Sequence, residues 1–222
     1  DTLVNLAGEP LGVGRWNAAR KREFFTSRVH FTEALVEFFR GRNAPPKQVI
    51  SGSAIGYYGP GKEPVDESSI AIEGFSHTLC HRWEAAARGF ERLGSRVCYL
   101  RTGIVLGELG ALARMLPAFR FGLGGPMGDG EQYMSWIHRD DMVALIEYCI
   151  DHPKLSGAVN ATAPAPVSNR YFSRELGRVL RRPAALRMSA TMARLLFGEM
   201  ADELLLQGQR VLPQALLAAD FC

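Results

Sequence analysis

The chain has 222 residues, 47% of them apolar and 22% charged, and a formal net charge of +3; this is ordinary globular composition with enough chain to bury a sizeable core. The basic residues are scattered, which argues against a dedicated nucleic-acid binder, and no apolar run reaches the ~18 residues of a membrane span. Cys80, Cys98, Cys149 and Cys222 show no CxxC or metal-ligand spacing, so they read as free thiols of a cytoplasmic protein.

Residues 2–6, TLVNL, are a β-branched and apolar run closed by Ala7-Gly8, the pattern of a buried strand. Its place directly after Asp1 implies a fold that starts upstream. Residues 17–40 read as a helix, with Phe25, Val29, Thr32, Val36 and Phe39 on one face, ended by GRNAPP. Residues 48–53 are a second strand. Residues 75–93 are a second helix, with Leu79, Trp83, Ala86, Phe90 and Leu93 on one face. A third strand covers 97–100, and helices follow over 111–121 and 140–151. A fourth strand covers 158–161. A further helix starts near Ser168, with Ser168 and Asn169 as caps, and two helical stretches, 189–197 and 199–208, close the pattern.

Strands alternating with helices predict βαβ units and a parallel sheet with helices on both faces. Such sheets bind ligands at the carboxyl ends of their strands. Three strand ends here carry small or polar groups: Leu6-Ala7-Gly8, Ser51-Gly52-Ser53 and Arg101-Thr102-Gly103.

The segments NLAG, SGSAIGYYG, RWEAAA, LRTGIVLG, GLGGPMGDGEQYMSWIHRDD and GQRVLP together resemble the extended short-chain dehydrogenase/reductase superfamily. The nearer likeness is to its branch of sugar-nucleotide epimerase-like proteins, some labelled cell-division inhibitors. The resemblance runs from Asn5 to Leu217. It implies a Rossmann-like doubly wound parallel sheet, with residues 1–163 forming the rest of a NAD(P)-binding domain, an insertion near 110–136, and residues 164–222 belonging to a smaller substrate lobe. It also implies NADP as cofactor, with NAD possible, a small-molecule substrate such as a nucleotide sugar, and a monomer or homodimer.

Superfamily chemistry uses a Ser, Tyr and Lys relay, in which Tyr exchanges a proton with the substrate and Lys supports it. Ser53 matches the Ser by its place after the strand. The helix expected to carry Tyr-x-x-x-Lys reads GFSHTLCHRWEAAA and has neither residue. The single Tyr-x-x-x-Lys, Tyr58 to Lys62, spans YGPGK, and two glycines and a proline cannot hold a helical i, i+4 pair. Ser53, Tyr57 and Tyr58 are therefore the catalytic candidates. On the cofactor side the resemblance points to Leu6, Ala7, Gly8, Glu23, Arg28, Ser51 and Val105. On the substrate side it points to Arg101, Gln132, Trp136 and His138, within or near a loop and hairpin. His138 with Asp140 and Asp141 makes a poor metal set, and Asp140 is expected to cap the helix.

These features predict an oxidoreductase or epimerase-like protein acting by hydride transfer. The rival is a non-catalytic NADP-binding regulatory or partner-binding protein, which the missing Tyr-Lys pair favours. The resemblance also places a first strand and glycine-rich phosphate turn, about 50–60 residues, before Asp1. The 222-residue chain alone is then expected to bind NADPH weakly or not at all, and to aggregate or borrow a strand at the edge of its first strand. Fluorescence titration with NADPH checks this, and micromolar binding would contradict it.

Overall fold

The computed structural model describes residues 1–42 and 44–221; Cys222, read above as a free thiol, lies outside the described residues. The chain opens with β1 (Thr2–Asn5), α1 (Ala18–Phe25), α2 (Phe31–Arg40) and β2 (Gln48–Ala54). A 3₁₀ turn over Ile55–Tyr58 leads to β3 (Pro64–Val65), α3 (Phe75–Glu91) and β4 (Arg96–Thr102). After β5 (Ile104–Leu106) and α4 (Ala111–Arg120) come β6 (Tyr133–Met134), β7 (Trp136–His138), α5 (Arg139–Asp151) and β8 (Gly157–Ala161). The C-terminal part holds β9 (Val167–Ser168), α6 (Asn169–Leu180), α7 (Ala190–Phe197), β10 (Arg210–Val211) and α8 (Gln214–Ala218).

The four strands expected from the sequence form one parallel sheet in the order β1-β2-β4-β8. Both faces are covered over β2, β4 and β8, which is why these strands read as continuous apolar runs; β1, read from the sequence as a buried strand, lies at the edge of the sheet with Thr2 and Val4 exposed. Val49, Val97 and Tyr99 pack with Val36, Ala87 and Phe90 of α2 and α3. The alternate residues Ile50, Cys98, Leu100 and Val159 pack on the other face with Leu145 and Cys149 of α5 and Leu216 of α8. Cys80, Cys98 and Cys149 are buried free thiols.

The short strands are where the structure departs from the sequence reading. The expected hairpin in the 124–141 loop is not formed. Instead β6 pairs antiparallel with β9, and β7 pairs parallel with β5. Strands of two or three residues carry no period-2 pattern to read.

The helix expected over 17–40 is continuous but contains a π turn at Thr26–His30. The extra residue in that turn shifts the inward face. Phe24, Arg28, Val29, Thr32 and Val36 are buried, while Phe25 is half-buried. In α3 the interior likewise takes Ala87 in place of Ala86, and it includes Glu84.

Phe24 has no exposed surface and packs edge-on against Trp16, ring centroids 5.3 Å apart. Phe24→Ala is expected to cost about 3–5 kcal/mol, measured by urea denaturation, and Phe25→Ala distinctly less. Equal losses would mean that the π turn does not set the register of this helix.

Candidate functional site

In a parallel βαβ unit the helix runs back against the strands, so the N-terminus of α3 stands at their carboxyl edge. One row of the sheet at that edge is polar. Register places Ser53 of β2 beside Arg101 of β4, and Arg101 beside Asn160 of β8. Glu84 comes down onto this row from α3. Its carboxylate accepts from Arg101 Nε at 2.9 Å and Nη2 at 3.0 Å, a two-pronged pair, and from Ser53 Oγ at 2.7 Å. Arg101 Nη1 donates to the Tyr58 hydroxyl at 2.9 Å, and that hydroxyl donates to Asn160 Oδ1 at 2.7 Å. Asn160 completes its bonding by donating to the Leu212 carbonyl at 2.9 Å.

Glu84 is 1% exposed and Tyr58 2%, so the network is sealed from water. Burial opposes the Arg101 charge, but the Glu84 carboxylate overrides it and the guanidinium is held above its ordinary value. Burial pushes the Tyr58 phenol up to about 12 despite Arg101. Tyr58 therefore stays protonated at neutral pH and serves as a hydrogen-bond relay within the interior. Lys62 stands outside any helix, beyond Gly59 at φ +69°, so Tyr58 and Lys62 make no helical pair.

Tyr57 behaves differently. It is half-buried, the Arg101 guanidinium carbon lies 3.4 Å from its ring centroid, and its ring meets that of Tyr58 edge-on at 5.5 Å. Its hydroxyl has no hydrogen-bond partner among the described residues. Of the two tyrosines it is the one with an uncommitted phenol.

The second cluster gathers below the end of β1. Arg28 is 9% exposed, and a Cβ on Gly8 would fall 2.8 Å from its guanidinium carbon. The guanidinium lies 5.2 Å from the Trp83 ring. Its one side-chain hydrogen bond among the described residues is to Ser27 Oγ at 3.4 Å, and burial pulls it below its ordinary value. Trp83 Nε1 is also buried without a partner. Gly52 is required here, since a Cβ would fall 2.7 Å from the Trp83 ring. Asn5 fixes the strand end: it accepts from Ala7 N at 3.3 Å and donates to Thr32 at 3.0 Å.

The remaining candidates lie in varied settings. Leu6, Ala7 and Gly8 are exposed at the carboxyl end of β1, and Ser51 is fully buried, donating to the Gly52 carbonyl. Glu23 is on the surface and pairs with Arg20 at 2.7 Å, away from Arg28. Val105 packs on the α5 face of the core, and Trp136 pairs with Ile104 across the β5–β7 ribbon. Gln132 donates to the Met127 and Leu205 carbonyls at 3.2 and 2.6 Å, leaving its buried Oε1 unpartnered. His138, not Asp140, caps α5, its Nδ1 accepting from Asp140 N at 3.2 Å; the ring reaches the orphan amide from the preceding residue. Cys80 lies in the α3 turn where the superfamily's Tyr-Lys pair is expected. Burial, with Glu84 adding to it, pushes its thiol up to about 12, so it is no nucleophile. Sequence reasoning missed Glu84 and Asn160. A carboxylate inside the stripe of Leu79, Trp83 and Phe90 was the available signal for Glu84.

Residues 1–161 match the model of the NAD dependent epimerase/dehydratase family. The chain belongs to that family. Residues 188–222 match a second model, a domain of unknown function, DUF1731. The epimerase family protein Mb2239 of Mycobacterium bovis is 44% identical over 223 residues, 100% of this chain and 73% of the relative. SDR39U1 of Mus musculus is 37% identical over 227 residues, covering 100% of this chain and 77% of its own. Among solved structures, human SDR39U1 isoform 2 with NADPH matches with a TM-score of 0.93 and 33% identity, over 100% of this chain and 77% of that one. A nucleoside-diphosphate sugar epimerase from Corynebacterium glutamicum matches at TM-score 0.76 and 32% identity, over 100% of this chain and 43% of the other.

Removing one partner of a sealed ion pair leaves an uncompensated buried charge. Glu84→Ala is therefore expected to destabilise the protein by about 3–5 kcal/mol in urea denaturation. A loss below about 1 kcal/mol, the scale of an exposed pair, would mean that water reaches Arg101.

Proposed function

We propose that the protein binds NADP and transfers hydride to or from a carbonyl or carbinol carbon of a nucleotide sugar or related small molecule. The family is NAD(P)-dependent, and the NADPH held by the human relative favours the phosphorylated cofactor. The name of the Corynebacterium relative supports a nucleotide-sugar substrate.

The observation that carries the reading is Arg28. A buried guanidinium with no carboxylate partner among the described residues, beside a buried indole N–H likewise unpartnered among them, is costly unless an acceptor meets it. A cofactor phosphate is such an acceptor, and Gly8 leaves room for close approach. NADP supplies or accepts the hydride when bound. Arg28 binds and orients it, while Leu6, Ala7, Gly8 and Val105 form an apolar wall on the nicotinamide side. Tyr57 exchanges the proton with the substrate oxygen, its ring held by Arg101. Glu84, itself bonded by Ser53, and the Tyr58 hydroxyl hold Arg101 in place against that ring. Trp136 and His138 approach from the substrate side, with residues 164–222 closing the crevice. Glu23, tied to Arg20 at the surface, takes no part. The binding-only alternative is favoured by one observation: the Ser53 and Tyr58 hydroxyls are already spent within the network.

Two measurements on the full-length protein test the proposal. Arg28→Gln is expected to weaken NADPH binding by about 10–100-fold, the scale of one charge-assisted hydrogen bond, and an unchanged Kd would remove Arg28 from the cofactor site. In NADPH oxidation with a panel of nucleotide sugars, Tyr57→Phe is expected to cut turnover by ~10²-fold. Tight NADPH binding with no turnover on any member would favour the binding-only reading.

A further inference from the structure

Near the N-terminus of α3 the chain reads HTLCH, with His77 and His81 four residues apart. That spacing puts both rings on one helix face, one turn apart. Their centroids are 5.6 Å apart with 32° between the planes. Two imidazoles sharing one ion at metal–nitrogen bonds of about 2.0–2.1 Å have centroids about 5 Å apart. The observed separation is close to that value.

His77 is also oriented in the way metal ligands are. Its Nδ1 lies 2.5 Å from the Tyr57 carbonyl, which can only accept, so Nδ1 carries the proton and Nε2 presents its lone pair. A backbone carbonyl fixing tautomer and ring angle is the usual support for a metal-bound histidine. The Tyr57 ring, 5.2 Å away, braces the imidazole from the side. His81 is exposed and His77 half-buried, so an ion can reach both. Of the neighbouring positive charges, Arg101, behind Tyr57, is met by Glu84, while Arg82 lies over the Phe25 ring.

We propose that His77 and His81 form a two-histidine site for a divalent first-row transition ion such as Zn²⁺, at the rim of the crevice. Imidazole donors suit such ions. Among the described residues no group of three or more His, Cys, Asp or Glu is placed to hold a metal. The other coordination positions therefore belong to water or to an oxygen-bearing ligand, as in an open site. The site is independent of the cofactor reading, since neither histidine is assigned to NADP.

Calorimetric titration of the metal-free full-length protein with ZnCl₂, and thermal melting with and without Zn²⁺, test it. One ion per chain is expected, with a rise in Tm because the ion binds only the folded helix. His81→Ala, at an exposed position that leaves folding intact, is expected to weaken binding by at least about 10–100-fold and to abolish the Tm rise. His77→Ala should do the same, and His152→Ala should do neither. Absence of stoichiometric binding, or equal binding by His81→Ala and the unsubstituted protein, would overturn the proposal.

Discussion

The Glu84–Arg101 ion pair is the constraint around which the carboxyl edge of the sheet is arranged. Taking two charges out of water is expensive, and the cost is recovered only with good geometry and further hydrogen bonds. Arg101 uses three nitrogens, two toward Glu84 and one toward Tyr58. Glu84 has Ser53 as an additional donor. Each need is met by a residue from a different element, so β2, β4, β8, α3 and the 3₁₀ turn are tied at one point.

That satisfaction divides the two tyrosines that follow β2. Tyr58 is drawn inward to join Arg101 to Asn160, and its phenol is locked in the protonated form. Tyr57, next in the same turn, lies flat on the other side of the guanidinium and keeps its hydroxyl free. One arginine thus holds both, one by a hydrogen bond and one by its ring face. The turn after β2 is thereby held rigidly against β4.

The C-terminal part is fastened to this edge by directed hydrogen bonds. Glu203 accepts from the Ser76 hydroxyl at 2.5 Å and its N–H at 3.3 Å; α3 has no side-chain cap of its own at Gly74. Glu67 accepts from Asn160 N at 2.9 Å and Ala215 N at 3.3 Å. Trp16, Phe24, Leu79 and Met200 add an apolar contact across the same junction. The helix that carries Glu84, Trp83 and the two histidines is therefore held at its start by the C-terminal chain.

The sequence by itself determined the four core strands and the helices between them. Apolar runs such as VISGS and VCYL, interrupted by small residues, report burial on both faces, and that is a local property. The family was also legible, because its motifs are contiguous. Tertiary structure alone decided the roles within the site. No local pattern tells that Ser53, Arg101 and Asn160 fall in one row, since register between strands is set by packing of the whole sheet. No 3.6-residue period shows the π turn that brings Arg28 under Gly8. A carboxylate on an apolar stripe, as at Glu84, gains its meaning only from the arginine opposite it, which is seventeen residues away in the chain and is brought there as the chain returns from α3 into β4.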